Sequence, residues 1–280
     1  MQKALVYCGP MILRLALFAC AAPYLCAQQR LDFSTVKREV VEARLGRVAM
    51  KDSAREATLR AIFEEAGCAA PRLEEQPVKR ARLPNVVCTL PGKTDGIVIA
   101  SGHFDHVELG TGAVDDWSGV SLLPSLYQGL ATRPRKHTFV FIGFTSEESG
   151  LVGSQFYVKS LTPEERSKIR AVVNLECLGL SSTKVWLSGS DKKLAAMLLS
   201  VAQALQAPLQ AVDVQQVGSD DSQSFAAKKI PVVSIHSVTQ ETLPILHSVR
   251  DDLKAIKLAE YYATYRLTCA YLAYLDGTLE

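Results

Sequence analysis

The sequence predicts an α/β fold: a single domain with a central, mostly parallel mixed sheet sandwiched between helices. Three observations lead there. The runs "GIVIASG", "TFVFIGF" and "IPVVSIH" are apolar on both alternating faces, as strands covered from both sides must be. Helically periodic segments fall between these runs, and that alternation builds parallel sheets. No internal repeat, low-complexity linker or break in composition divides residues 28–280, so one domain is expected there.

The elements follow in order. "KDSAREATLRAIFEEAG" opens with a capping box of Ser53 and Glu56, sets Leu59, Ile62 and Phe63 at helical spacing, and stops at Gly67. "NVVCTL" and "GIVIASG" read as strands. Ser118 to Leu130 reads as a helix, Thr138 to Phe144 as a strand and Leu151 to Leu161 as a helix. "AVVNLEC" is extended, "KVWLSG" is a short strand, and Asp191 to Leu205 is helical. "QAVDVQQV" alternates as a strand does, and "IPVVSIH" is a buried one. The last element, Leu253 to Leu275, is an amphipathic helix with Ile256, Ala263, Leu267 and Tyr271 on one face.

The first residues, "MQKALVYCGPMILRLALFACAAPYLCAQQ", read as a leader. Lys3 precedes an apolar run, and Leu25-Cys26-Ala27 fits a secretory cleavage site after Ala27, giving a signal peptide at residues 1–27. Lipoprotein processing at Cys20 is disfavoured by Phe18. Arg14 breaks the run short of the about 20 apolar residues that a membrane span needs, so no stable span is expected in the mature chain. A periplasmic or extracellular location follows. Without Lys3 and Arg14, two of the 31 basic residues, the charges balance against 29 acidic ones, which argues against a nucleic-acid partner. Cys68, Cys88, Cys177 and Cys269 remain after cleavage, with no C-x-x-C pair and hence no cysteine zinc motif. Export permits a disulfide, for which Cys68 and Cys88 are the candidate pair; the alternative is four buried thiols.

Polar clusters stand at the predicted carboxyl ends of strands or in the loops that follow, where such sheets collect ligands. They are "HFDH" with His103 and Asp105, "GAVDDWSG" with Asp115 and Asp116, "SEESG" with Glu147 and Glu148, "NLECLG" with Glu176, and "LHSVRDD" with His247. Each alone has an ordinary explanation: a hydrogen-bonded histidine, a helix cap, a solvated turn, a salt bridge. Adjacent carboxylates directly after a buried strand nevertheless require a positive partner. Together, imidazoles and hard oxygen donors make a metal site, and zinc suits them. Five donors, one of them bridging, supply three ligands to each of two ions. His103, Asp115, Glu148, Glu176 and His247 satisfy that arithmetic and leave Glu147 free to take a proton from a water activated by metal.

In order and spacing, "HFDH", "GAVDDWSGV", "FTSEESGLVGSQFY", "NLECLG" and "HSVRDDL" resemble the motifs of the two-zinc aminopeptidase family, which includes secreted bacterial leucyl aminopeptidases and has glutamate carboxypeptidase and glutaminyl cyclase as relatives. The likeness runs from about Asp32 to the C-terminus. It implies one zinc held by Asp115, Glu148 and His247 and another by His103, Asp115 and Glu176. It further implies Glu147 as general base, Asp105 as the residue orienting His103, and a cis peptide between Asp115 and Asp116. The implied function is an exported metallopeptidase releasing N-terminal residues from peptides with a free N-terminus.

Two residues depart from the family pattern. Glu176 stands where most of these aminopeptidases have aspartate. Trp117 brings a large ring where a smaller residue is usual, and it either narrows the pocket or packs. His236, at a strand end, rivals His247 as the last ligand; "HSVRD" matches the family pattern better and offers Asp251 as a partner to His247. Asp220, in "GSDDSQSF", either touches substrate or caps a helix. A glutaminyl cyclase or a non-catalytic binding domain uses the same scaffold. Intact His103 and Glu176 argue against the first, and competent donors at all five positions argue against the second.

Overall fold

The computed structural model describes residues 31–213 and 218–280; the expected leader and the end of "QAVDVQQV" lie outside them. Among the described residues, eight strands form one sheet: β1 (Leu73–Gln76), β2 (Asn85–Leu90), β3 (Ile97–His103), β4 (Thr138–Phe144), β5 (Ile169–Glu176), β6 (Lys184–Val185), β7 (Gln210–Ala211) and β8 (Val232–His236). Their order is β1-β2-β4-β3-β5-β8-β6-β7. The central four, β4-β3-β5-β8, are parallel, as expected of buried apolar strands. β2 adds to β4 antiparallel, β1 to β2 likewise, and β6 joins β8 antiparallel.

The helices are α1 (Arg38–Leu45), α2 (Asp52–Glu65), α3 (Ser118–Val120), α4 (Leu123–Ala131), α5 (Val152–Ser160), α6 (Pro163–Lys168), α7 (Lys192–Ala204), α8 (Ser222–Ala226) and α9 (Leu258–Thr278). Strand side chains alternate between the two faces. Val98, Ala100, Phe139, Phe141, Ala171 and Val173 enter the larger core, which α1 to α4, α7 and α9 cover. Ile99, Val140, Ile142 and Val172 enter a smaller core with Val158 of α5 and Phe225 of α8. Among the described residues no helix is long and apolar enough to cross a membrane.

Several local expectations are corrected. The helix expected to be capped by Ser53 begins at Asp52, and no side chain caps it. Asp52 reaches outward to His106 Nδ1 at 2.7 Å, while Glu56 turns to Arg60 at 3.7 Å, so the box never closes. A closed capping box is instead found at Thr162 and Glu165. The helix expected over Ser118 to Leu130 is split into α3 and α4, because Pro124 suits only a helix start. The last helix starts at Leu258 rather than Leu253; Ile256 is extended, and Lys257 N–H donates to the Gly179 carbonyl instead. Cys68, just past α2, and Cys88 of β2 are joined by a disulfide, with Cα atoms 6.4 Å apart. Cys177 and Cys269 are free and buried.

Candidate metal centre

The parallel strands deliver the donors to one edge. His103 ends β3, opposite Phe144 of β4, after which the chain turns through Glu147 and Glu148. Glu176 ends β5, and Asp115 lies in the turn Ala113–Trp117 that precedes α3. His247 comes from the loop before α9, at φ 52°. His103 Nε2 lies 3.2 Å from Asp115 Oδ1 and 3.3 Å from Glu176 Oε1. His247 Nε2 lies 3.1 Å from Asp115 Oδ2 and 3.1 Å from Glu148 Oε2. Asp115 is therefore shared between two groups, His103–Asp115–Glu176 and Asp115–Glu148–His247, within each of which the donor atoms lie within 4.8 Å of one another.

Other carboxylates hold this arrangement in place. The Asp115–Asp116 peptide is cis, and Asp116 turns away from Asp115 to accept from Gly119 N–H at 2.9 Å and Cys177 N–H at 3.0 Å. Asp116 fits there because Gly102 and Gly119 carry no side chain; a Cβ on either would stand within 2.8 Å of its carboxylate. Asp105 reaches His103 Nδ1 through its backbone carbonyl at 3.0 Å, whereas its carboxylate accepts from the N–H groups of Glu147 and Glu148 at 3.0 and 3.2 Å. Asp251, expected beside His247, instead accepts from Val114 N–H at 2.7 Å and Asp115 N–H at 3.3 Å. The correction has a simple cause: His247 projects from an exposed loop, and the buried amides of the Asp115 turn need an acceptor more.

The electrostatics describe a cluster awaiting cations. Burial pushes Glu147 up to about 10 and Glu176 up to about 7, with neighbouring carboxylates adding to both shifts. Hydrogen bonds with Asp115 and Glu148 raise His247 to about 10. Burial works against charge on both members of the other contact. Even so, Glu147 and Glu176 hold His103 well above its usual value, and His103 and His247 keep Asp115 low. Glu148 Oε1 is buried without a hydrogen-bond partner among the described residues. Oxygen and imidazole donors, a shared carboxylate and an orphaned carboxylate oxygen fit metal ions of the zinc type.

Comparison with known proteins accords with that chemistry. The model of peptidase family M28 matches residues 85–272. The chain belongs to this family. A probable leucine aminopeptidase 2 of Aspergillus fumigatus is 33% identical over 106 residues, covering 38% of this chain and 21% of that protein. The chain thus aligns with only about a fifth of the length of that curated relative. The LapA aminopeptidase of Legionella pneumophila has the same fold, with a TM-score of 0.76 at 21% identity, over 88% of this chain and 73% of that one. So does the glutaminyl cyclase of Porphyromonas gingivalis, with a TM-score of 0.67 at 18% identity, over 84% of this chain and 96% of that one.

In this family member a cavity of about 470 Å³ opens beside the donors. Trp186, Val238, Leu243 and Leu246 give it an apolar wall. His236 also lines it but is fully engaged: Nε2 lies 3.0 Å from the Val212 carbonyl, Nδ1 accepts from Val238 N–H, and burial lowers its pKa to about 4. It has no nitrogen left for a metal. Asp220, at the cavity edge, accepts from the N–H and hydroxyl of Ser222, the first residue of α8, and from the Ser234 hydroxyl, while the N-cap position of α8 is held by Asp221, whose side chain makes no capping bond. Trp117 is fully buried, donates from Nε1 to the Leu45 carbonyl at 2.9 Å and packs away from the cavity.

Two residues escaped the sequence reading. Asp221 is fully buried, both its oxygens lack a hydrogen-bond partner among the described residues, and burial pushes its pKa up to about 8. Its neighbour Asp220 masked it, since either could cap α8. Arg55 is fully buried in α2. The signal was present: Arg55 stands one helical turn before Leu59, on the apolar stripe where a charge is out of place.

Proposed function

We propose that this chain is a zinc aminopeptidase of family M28 that binds two ions and acts outside the cytoplasm on peptides with a free N-terminus. The observation that carries the reading is the pair of donor groups sharing Asp115 at the mouth of an apolar-walled cavity. Asp115, Glu148 and His247 would hold one ion, and His103, Asp115 and Glu176 the other. Bound there, zinc would polarise a scissile carbonyl and lower the pKa of a water.

The chain's own residues do the rest. Asp105 fixes the backbone of Glu147 and Glu148 by accepting from both amides, an arrangement that would leave Glu148 to hold an ion and Glu147 free to move a proton. Glu147 Oε2 sits 3.9 Å from His103 Nε2, within reach of both donor groups. Its carboxylate form would be the base, favoured wherever positive charge stands beside it. Glu147 then accepts the proton of the attacking water and returns it to the leaving amine. The apolar wall of Trp186, Val238, Leu243 and Leu246 receives the side chain of the first residue and excludes water.

The reading is tested with aminoacyl anilides: a chelator should abolish release of the chromophore, and added zinc should restore it. Full activity in metal-free protein would refute it. Glutaminyl cyclase is the second reading, favoured by the 96% of the Porphyromonas gingivalis cyclase that this chain covers. Product analysis on a glutaminyl peptide separates them, because the peptidase yields free glutamine and the cyclase a pyroglutamyl peptide.

A further inference from the structure

We propose that Arg55 is a positioning residue for the metal donors, holding His103 and Asp115 at their spacing before any metal arrives. The proposal rests on the two-ion reading above. Arg55 comes from α2, remote in sequence from every donor, and its guanidinium is entirely buried. Among the described residues no carboxylate lies within ion-pair distance of it. Its partners are backbone carbonyls from three segments. Nε donates to Ala49 at 2.8 Å, Nη1 to Phe104 at 3.1 Å, and Nη2 to both Thr111 and Gly112, the last at 3.0 Å. The indole of Trp117 lies beneath it, 5.9 Å from the guanidinium carbon to the ring centroid.

Those carbonyls are placed where they matter for the centre. Phe104 directly follows His103. Gly112 opens the turn that carries Asp115, and its carbonyl also accepts from Trp117 N–H at 3.2 Å. The segment between His103 and Asp115 is therefore clamped at both ends by one planar group. A guanidinium suits this because its five N–H groups form a rigid fork, which a lysine ammonium cannot reproduce. Gly112 is shaped to the clamp: it adopts φ 54°, and a Cβ there would stand 2.8 Å from Arg55 Nη2. The positive charge also faces an acidic surrounding. Burial lowers the Arg55 pKa, and Asp52, Asp251, Asp105 and Asp116 pull it back up. Trp117, the bulky residue beside Asp115, is accounted for as the floor of this clamp.

The test measures zinc affinity by competition with a chromogenic chelator in Arg55→Lys and Arg55→Gln. Lysine keeps the charge and loses the fork; glutamine removes the buried charge, and its amide nitrogen extends no farther than Arg55 Nε, short of the Phe104 and Gly112 carbonyls. Both variants, folded by circular dichroism, should bind zinc about 10- to 100-fold more weakly than the parent, the scale seen when residues behind metal ligands are removed. Saturating zinc should return much of kcat, as a positioning role requires. Variants that hold zinc as tightly as the parent would overturn the proposal. A second measurement needs no variant. In the chelated parent, hydrogen exchange at the amide of Trp117, which donates to the Gly112 carbonyl that Arg55 also holds, should be slow, because the clamp acts without metal. Fast exchange that slows only when zinc is added would also overturn it. A parent that takes up no zinc would instead refute the two-ion reading, leaving exchange in the parent and in Arg55→Gln to decide the clamp.

Discussion

The two ends of the central strands treat charge in opposite ways. At the amino ends, Thr162 and Glu165 close a capping box on α6, and Lys168 sits 3.0 Å from Glu164. Arg166, which donates to the Leu161 carbonyl at 2.7 Å, borders an open cleft there with the exposed Lys228 and Lys229. At the carboxyl ends, His103, Asp115, Glu147, Glu148 and Glu176 are gathered with no more than 15% of any side chain exposed. One end answers each charge with a partner or with solvent. The other buries four carboxylates around two imidazoles and, among the described residues, leaves Glu148 Oε1 with no hydrogen-bond partner. Residues at the amino ends should therefore govern stability, and those at the carboxyl ends metal binding and turnover.

The largest break in that contrast should come from Glu147→Gln. The amide keeps the shape of the side chain but accepts no proton. Its kcat should fall by at least about 10²-fold, the scale of a general base, while zinc content stays at the parent level. Steady-state kinetics alongside metal analysis provides the check. If zinc is lost and turnover persists, Glu147 and Glu148 have exchanged roles.

Glu176→Asp should act next most strongly, and on metal first. Glu176 ends β5 and reaches to 3.3 Å from His103 Nε2 with a side chain one methylene longer than aspartate. Shortening it draws a donor back by about 1 Å, too far for a zinc–oxygen bond of about 2.0–2.2 Å. The group of Asp115, Glu148 and His247 does not use this residue. After identical dialysis the variant should hold about one zinc per chain where the parent holds two, with activity reduced about tenfold. A parent that never holds more than one zinc would count against the two-ion peptidase and favour the cyclase.

How legible each end was in the sequence follows from the same contrast. The candidate donors His103, Glu148 and Glu176 stand out in the sequence because charged or imidazole residues at or just after the ends of apolar strands are anomalous, whereas Asp115 and His247 lie outside the strands and are singled out by motif and spacing. The strands β3, β4 and β8 were readable because burial on both faces demands unbroken apolar runs. β1 was not, since "LEEQ" on a sheet edge carries no apolar signal, and neither were α1, α6 or α8, which are short. The capping box was sought at Ser53 and lay at Thr162, because an S/T-x-x-E spacing also occurs inside helices. The partners of Asp251 and Arg55 depend on long-range approach: 136 residues separate Asp251 from the Asp115 amide it accepts. No local pattern encodes such a contact.

A third prediction concerns pH in the chelated protein. Glu176, Asp221 and Glu147 are raised mainly by burial, to about 7, 8 and 10. A raised carboxyl stabilises the fold while protonated, and that contribution fades as pH climbs from its ordinary value through the folded one. His247, raised to about 10 by Asp115 and Glu148, contributes below its ordinary value and also loses its contribution as pH rises. The depressed Asp115 has the opposite sign but acts only in strong acid. The melting temperature of metal-free protein should therefore fall between about pH 5 and about pH 9. The rise in melting temperature on adding zinc should grow over the same window, because donors must shed protons to bind metal. A flat metal-free profile would show that these groups are satisfied without metal, and the contrast between the two ends would collapse.

The smallest effect should come from the amino ends. Thr162 Oγ1 accepts from Glu165 N–H at 3.1 Å, and Glu165 Oε2 accepts from Thr162 N–H at 2.7 Å. Thr162→Ala deletes the first of these bonds and leaves a helix-start amide to water. No residue of α6 is buried, so the loss should not spread into the core. The melting temperature should drop by about 2–4 °C, the scale of one cap in a domain of this size. Zinc content and kcat/KM should match the parent. The comparison is demanding because α6 runs directly into β5, whose far end is Glu176. Should Thr162→Ala change zinc content or kcat/KM, β5 would be transmitting strain along its length, and the two ends would have to be treated as one coupled unit.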